Sequence, residues 1–392
     1  MIYNSIMSLC PKEISLYIAN LAYKCGGTES YAANLIEALQ NIYPESSIFI
    51  ITEYWKKTIK LDSSMMVATL NEIYGTKIIE KNISVDYIKS SVQKGKVENF
   101  LFQRKLRAKT RKKDLFFYCS RGLLTGKAKK NIAIIHFPPD KKVTFPFYKK
   151  FPFFKIFAKL TDKHFFERYD FFLPNSNFTS YWLKEIWAIP EEKIKVLYPP
   201  VNFVNVQAQK KLGSIFVCSR IEPSKKIEEI IRAFLSSEKL KERCVLIIAG
   251  SIKGESVSYR NHLESISPLV KFVFEPTWKE IEELYAESTF FWHAKGFQET
   301  NPYLMEHFGI TPIEAMSAGC IPVVINKGGL AEIVTSDCGF RWNTLEELVQ
   351  FTEFVLAEPE KVESFSKASI EKSKEFSVQV YTESLAKLLK QL

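Results

Sequence analysis

Glu306 and Glu314 stand eight positions apart in MEHFGITPIEAMSAGC, residues 305–320. An amphipathic surface helix would spread its charges along one face. Here only small or apolar residues follow Glu314 as far as Gly319, and IPVVINKGG then reads as a buried strand closing in a glycine-rich turn. The acids therefore sit at the edge of something that otherwise stays dry. A helix beginning near Thr311 or Pro312 would put the proline in its first turn. That start leaves Glu306 in the loop and Glu314 in the first turn, with the amides of Phe308, Gly309 and Ile310 turned toward a phosphate. A first-turn acid needs no function, because the helix dipole already favours it. Glu306, beside a glycine loop, is not covered by that explanation.

A second constellation is Arg220 and Lys225 in SIFVCSRIEPSKKIEEII, flanking a proline turn between a strand and a helix. Two cations near a helix start oppose the dipole. They suit a diphosphate, offering one planar donor fork and one point charge. Anion binding is the favoured reading, with a solvated loop as the alternative. Gly26 and Gly27 open a helix after ISLYIA, where amides can approach an anion, although a turn alone also calls for glycine. His136 ends the apolar run of IIHFPPD. A lone histidine is more often structural, and it gains weight only from its company.

The elements that must position these residues are legible as alternation. ISLYIA, SIFIIT, LFFYCS, NIAIIHF and FFLPNS read as strands in the first half, and SIFVCS, CVLIIAG, VKFVFEP, TFFWHA and CIPVVIN in the second. Helical stretches lie between them. Nearly continuous apolar strands alternating with helices predict parallel sheets covered on both faces. Prolines and polar residues at 198–214 interrupt the alternation and mark a boundary, so the 392 residues divide into two doubly wound α/β domains. Ligands of such folds are expected at the carboxyl ends of the strands, in a cleft between the domains.

With 46% hydrophobic and 25% charged residues the composition is that of a soluble globular protein. No apolar run approaches the ~20 residues of a membrane span, and the first twenty residues lack a signal-peptide pattern. The seven cysteines are scattered with no CxxC pair, which predicts buried free thiols and a cytoplasmic location. Residues 1–205 hold 32 Lys+Arg and 18 Asp+Glu, a balance of +14, against 22 and 26, or −4, in the remainder. A positive half points to an anionic partner or to a lysine-rich solvated surface.

The order Gly-Gly-x-Glu, His-Phe-Pro, PNSNFT, VLYPPV, Arg with Lys five residues on, and Glu with Glu eight on resembles the retaining glycosyltransferases of family 4. The resemblance runs from about Gly26 to the final helix. Its most specific pieces are EHFGITPIEAMSAGCIPVV and the Arg220/Lys225 spacing, and the EHFGI wording is most similar to mannosyltransferases that build lipid-linked oligosaccharides. It implies a GT-B fold, with an acceptor domain at 1–205, a nucleotide-sugar domain at 206–375, and a helix at 376–392 returning to the first. It also implies roles. Arg220 and Lys225 would neutralise the departing nucleoside diphosphate, Glu314 would bind ribose hydroxyls, and Glu306 would hold hydroxyls of the sugar, with the amides of Phe308, Gly309 and Ile310 near sugar and phosphates. His136 would lie beside the reacting sugar, and Gly26–Gly27 would admit acceptor and phosphate. Asn202, Lys226 and His307 depart from the pattern: the first stands where aspartate is frequent, the others where glycine is common.

These implications amount to a hexose transferred from GDP-mannose or a UDP-sugar to a glycan or lipid-linked acceptor. No cofactor is expected, and with no Asp-x-Asp motif, no metal. A same-face attack assisted by the leaving phosphate fits the lack of an evident carboxylate nucleophile. The stretch FPFYKKFPFFKIFAKLTDKHFF, residues 145–166, interleaves aromatics and lysines. It reads either as attachment to an anionic membrane, placing the enzyme peripherally on the cytoplasmic face, or as a packed helix with a basic side in water. The rivals are a GT-B epimerase or phosphorylase and a basic nucleic-acid-binding protein, although no nucleic-acid module is recognisable and no such partner is expected.

Overall fold

The computed structural model describes residues 10–21, 26–55, 59–90, 96–120, 124–139, 166–205, 210–252 and 256–392. The chain divides into two compact units, Met1–Pro200 with Val378–Leu392, and Val201–Ser377. The stretch at 145–165 lies outside the described residues.

The first unit is built on β1 (Glu13–Tyr17), β2 (Ser47–Tyr54), β3 (Ile83–Lys89), β4 (Leu115–Tyr118), β5 (Lys130–Ile135) and β6 (Phe171–Pro174). All pair in parallel, in the order β3-β2-β1-β4-β5-β6. Helices α1 (Gly27–Ile42), α2 (Ser63–Tyr74) and α3 (Lys96–Thr110) lie between its successive strands, and α4 (Asn177–Trp187) follows β6. Every residue of β4 is buried, as a central strand covered on both faces requires.

The second unit repeats the plan. Its strands are β7 (Lys211–Cys218), β8 (Val245–Gly250), β9 (Val270–Phe274), β10 (Ser288–His293), β11 (Ile321–Ile325) and β12 (Phe340–Trp342). They run in parallel in the order β12-β11-β10-β7-β8-β9. Its helices are α5 (Ile227–Ser236), α6 (Glu238–Arg243), α7 (Ser256–Ile266), α8 (Trp278–Glu287), α9 (Ile310–Ser317), α10 (Leu330–Ile333), α11 (Leu345–Ala357) and α12 (Pro359–Ser373). The strand order reverses between β7 and β10, and this switch point is where a doubly wound sheet leaves room for a ligand beyond its strand ends. The two sheets together make the α/β architecture of two doubly wound domains.

A last helix, α13 (Val378–Leu389), belongs to the first unit. Its Tyr381, Leu385 and Leu389 are buried in the cluster that includes Tyr31, Leu35 and Leu39 of α1. Tyr381 meets Tyr31 edge-on at 5.5 Å.

Candidate functional site

β7 ends at Cys218, and Arg220 leaves the sheet exposed, its Nη1 3.0 Å from Glu222 Oε2. A 3-10 turn, Pro223–Lys225, then reverses the chain and turns Lys225 inward, leaving that side chain 14% exposed. Lys226 follows with φ 58°, in the left-handed region, and caps α5. Only glycine enters that region freely, so the conformation accounts for the glycine common at this position in the resembling family. Here the lysine side chain has a partner of its own, Glu299 Oε1 at 2.8 Å.

Glu306 is the focus of the unit. Its Oε2 lies 3.3 Å from Lys225 Nζ, 3.5 Å from Lys295 Nζ and 3.6 Å from His293 Nε2. These groups come from different places in the chain. Lys225 follows β7, while His293 and Lys295 stand at the end of the neighbouring strand β10 and just past it, so the parallel β7–β10 pairing brings them together. Burial alone would raise the Glu306 pKa, but the Lys225 charge, the His293 hydrogen bond and the Lys295 charge outweigh it and hold the carboxyl well below its ordinary range. Burial lowers the pKa of His293 despite the pull of Glu306, which keeps the imidazole neutral near pH 7.

The backbone beneath Glu306 depends on glycine. Gly329 N–H donates to the Glu306 carbonyl at 2.9 Å. A Cβ on Gly328, at φ +64°, would collide with that same carbonyl oxygen, and one on Gly329 would collide with the His307 carbonyl oxygen. The NKGG turn is therefore a floor on which the EHFG loop rests. Gly309, at φ +125°, ends the loop and caps α9, whose first amides have no partner inside the helix. Phe308 beside it is buried and packs edge-on to Phe376 at 5.7 Å. His307 Nε2 lies 3.2 Å from the Pro302 carbonyl oxygen.

Glu314 occupies a different environment, and its position corrects the expectation from sequence. α9 starts at Ile310, so Glu314 is its fifth residue and lies in the second turn rather than the first. The helix starts early because Gly309 supplies the cap. A dipole argument therefore does not explain this acid. Tyr285 O–H donates to Glu314 Oε2 at 2.9 Å, and burial pushes the carboxyl up from its ordinary 4.5 to about 7. Burial, and then the nearby Glu314 charge, push the Cys218 thiol up to about 12. The two acids are thus separated by environment, one held ionised by cations and the other poised near neutrality.

Gly26, Gly27 and His136 lie in the first unit. Gly26 caps α1 in an extended conformation open to any residue, and its carbonyl accepts from Ser30 N–H. The His136 ring meets Tyr31 edge-on at 5.5 Å, and its carbonyl accepts from Thr179 Oγ1 at 3.3 Å. Sequence reasoning singled out Arg220, Lys225, Glu306 and Glu314 in the second unit but missed His293, Lys295 and Tyr285. The available signal was the run TFFWHAKG, where a histidine and a lysine terminate an apolar strand. Among the described residues, no group of three or more His, Cys, Asp and Glu is placed to hold a metal ion.

The raised Glu314 pKa predicts a stability effect with a defined sign. Between about 4.5 and 7 the folded chain binds a proton that the unfolded chain has lost, so this group's contribution falls as pH rises through that window. Urea midpoints of wild type and Glu314→Gln across pH 4.5–7.5 measure it. The wild type should lose stability relative to the variant as pH rises, and parallel curves would contradict the buried, near-neutral carboxyl.

Residues 202–372 match the family model described as Glycosyl transferases group 1. A GDP-Man:Man(3)GlcNAc(2)-PP-Dol alpha-1,2-mannosyltransferase of Neurospora crassa is 25% identical over 229 residues, 48% of this chain and 40% of the relative. The Dictyostelium discoideum protein of the same name is 23% identical over 245 residues, 56% of this chain and 46% of the relative. The chain thus spans less than half the length of these curated relatives. Among solved structures, Anabaena HepE in complex with UDP has a TM-score of 0.69 at 17% identity, covering 97% of this chain and 100% of that one. Sucrose-phosphate synthase from Thermosynechococcus elongatus gives 0.69 at 14%, covering 97% and 98%. Residues 202–372 are therefore similar to the glycosyl transferases group 1 family, within a chain that has the two-sheet GT-B fold.

Proposed function

We propose that the protein is a retaining, metal-independent glycosyltransferase that moves a hexose from GDP-mannose or a UDP-sugar to a glycan or lipid-linked acceptor. The observation carrying this reading is the convergence of Lys225, Lys295 and His293 on Glu306 at the switch point of the second unit, with Arg220 at the exit of the same strand. Preorganised cations such as Arg220 and Lys225 stabilise charge as it develops on a leaving diphosphate. In this reading Arg220 and Lys225 take the diphosphate, the ionised Glu306 accepts from hydroxyls of the sugar, and the first amides of α9 face sugar and phosphate. Glu314 takes the ribose hydroxyls, whose hydrogen bonds would favour its charged form. His136 and the Gly26–Gly27 turn keep the roles that the family resemblance gives them, and the first unit serves the acceptor. The names of the mannosyltransferase relatives support GDP-mannose, and the UDP of HepE supports a UDP-sugar.

Turnover of Arg220→Ala and Lys225→Ala tests this reading, with GDP-mannose and UDP-glucose as donors and release of nucleoside diphosphate as the readout. Each variant should fall by ~10²-fold or more. Near-normal turnover in both, with the fold confirmed, would contradict the assignment.

The proposal includes peripheral attachment to an anionic membrane on the cytoplasmic side. Buried free thiols at Cys119, Cys218, Cys320 and Cys338 support a reducing compartment. On α3 and the turn after it, Arg104, Lys105, Arg111 and Lys112 are exposed and have no carboxylate partner among the described residues. Phe100 and Leu101, 61% and 48% exposed, lie at the start of the same stripe. Among the described residues, no helix is long and apolar enough to cross a membrane. Each basic residue near an anionic surface contributes ~1 kcal/mol, screened as salt rises. Sedimentation with anionic vesicles at low salt should carry the protein down, with loss at ~1 M salt and in the double variant Arg104→Glu/Lys105→Glu. Equal, negligible binding to neutral and anionic vesicles would refute attachment.

A further inference from the structure

Two ammonium groups share one carboxylate in the second unit. Lys225 and Lys295, 14% and 17% exposed, both approach the same oxygen of Glu306, itself 19% exposed. His293 adds no negative charge, and the other acids nearby are committed. Glu222 pairs with Arg220, Glu299 with Lys226, and Glu314 accepts from Tyr285. Among the described residues the group therefore carries one surplus positive charge where little water reaches it. An uncompensated charge in such a place is costly, and it is relieved by an anion.

The geometry points the same way. The N–O distances of 3.3 and 3.5 Å exceed the ~2.7–2.9 Å of tight charge-assisted bonds, so neither lysine is locked on Glu306. A lysine head is a point charge on a flexible stem and can move to a new partner without leaving the site.

We infer that Lys295 is a third cation of the diphosphate site, acting with Arg220 and Lys225, and that the arriving diphosphate draws an ammonium away from Glu306 while the other remains to orient the carboxylate. Burial pulls the Lys295 pKa down, Glu306 pulls it up and Lys225 pushes it down again, for a net fall that fits a cation awaiting an anion. Among charged side chains, the family resemblance assigned the diphosphate to Arg220 and Lys225 and gave Lys295 no role. The inference rests on the proposed donor chemistry for the identity of the anion, but not for the charge imbalance.

Calorimetry on the full chain at low salt tests it, with UDP, GDP and inorganic pyrophosphate as probes. Lys295→Met should weaken binding of the preferred diphosphate by about tenfold or more, and Lys295→Arg should recover most of it. Lys279→Met, which removes an exposed lysine of α8, should leave affinity unchanged. Lys295→Gln provides a second neutral variant if the methionine variant fails to fold. Unchanged affinity in a folded neutral variant would overturn the role of Lys295 and leave the donor reading intact. Pyrophosphate binding that depends on Lys295, with no binding of UDP or GDP, would sustain the anion site and overturn the nucleotide reading. No binding of any probe by the wild type would overturn both.

Discussion

The ion cluster on Glu306 Oε2 is the constraint around which the second unit is arranged. Two lysines and a histidine meet one carboxylate oxygen by two routes: Lys225 through the turn after β7, and His293 and Lys295 from the end of β10. A buried carboxylate without partners would protonate, and buried ammonium groups without a counter-ion would lose their protons. Held together, they stay charged. The backbone that carries Glu306 needs glycine at 328 and 329, where a Cβ would collide with the Glu306 and His307 carbonyl oxygens.

The sheet supplies the remaining precision. β10 and β11 are buried along their whole length, so they are rigid platforms whose ends hold loop residues in place. Because β10 pairs with β7, the strand order reverses at the very edge from which the charged residues emerge. Glu314 extends the contrast. Eight residues beyond the caged acid, in the second turn of α9, another carboxyl faces a tyrosine hydroxyl and titrates near neutrality. Donors and dehydration, rather than the residue type, decide which acid is permanently ionised.

Much of this was legible in the sequence, for identifiable reasons. Buried parallel strands must be nearly continuous apolar runs, so each of the quoted runs proved to be a strand. The strands that escaped, β3 and β12, each form one of the two edges of their sheet, and there ISVDYIK and FRW carry polar residues on partly exposed faces. Arg220 and Lys225 stood out because their spacing places two cations across one turn. His293 and Lys295 did not, because their meeting with Lys225 depends on a β7–β10 pairing that no local spacing reveals. The α9 start was misplaced because Gly309 acts as a cap through a positive φ that composition does not show.

The central claim is that this cation–carboxylate cluster exists to receive a nucleoside diphosphate. Thermal unfolding of the full chain, with UDP, GDP and ADP, their sugar conjugates and the corresponding free nucleosides, addresses it directly. A ligand at 100 times its Kd stabilises the native state by ~2.7 kcal/mol. In a domain of this size that corresponds to a rise of several degrees in Tm. The account predicts such a rise with one nucleoside diphosphate and its sugar conjugate, and none with the nucleoside alone. An unchanged Tm with every diphosphate, or an equal rise with the uncharged nucleoside, would contradict it.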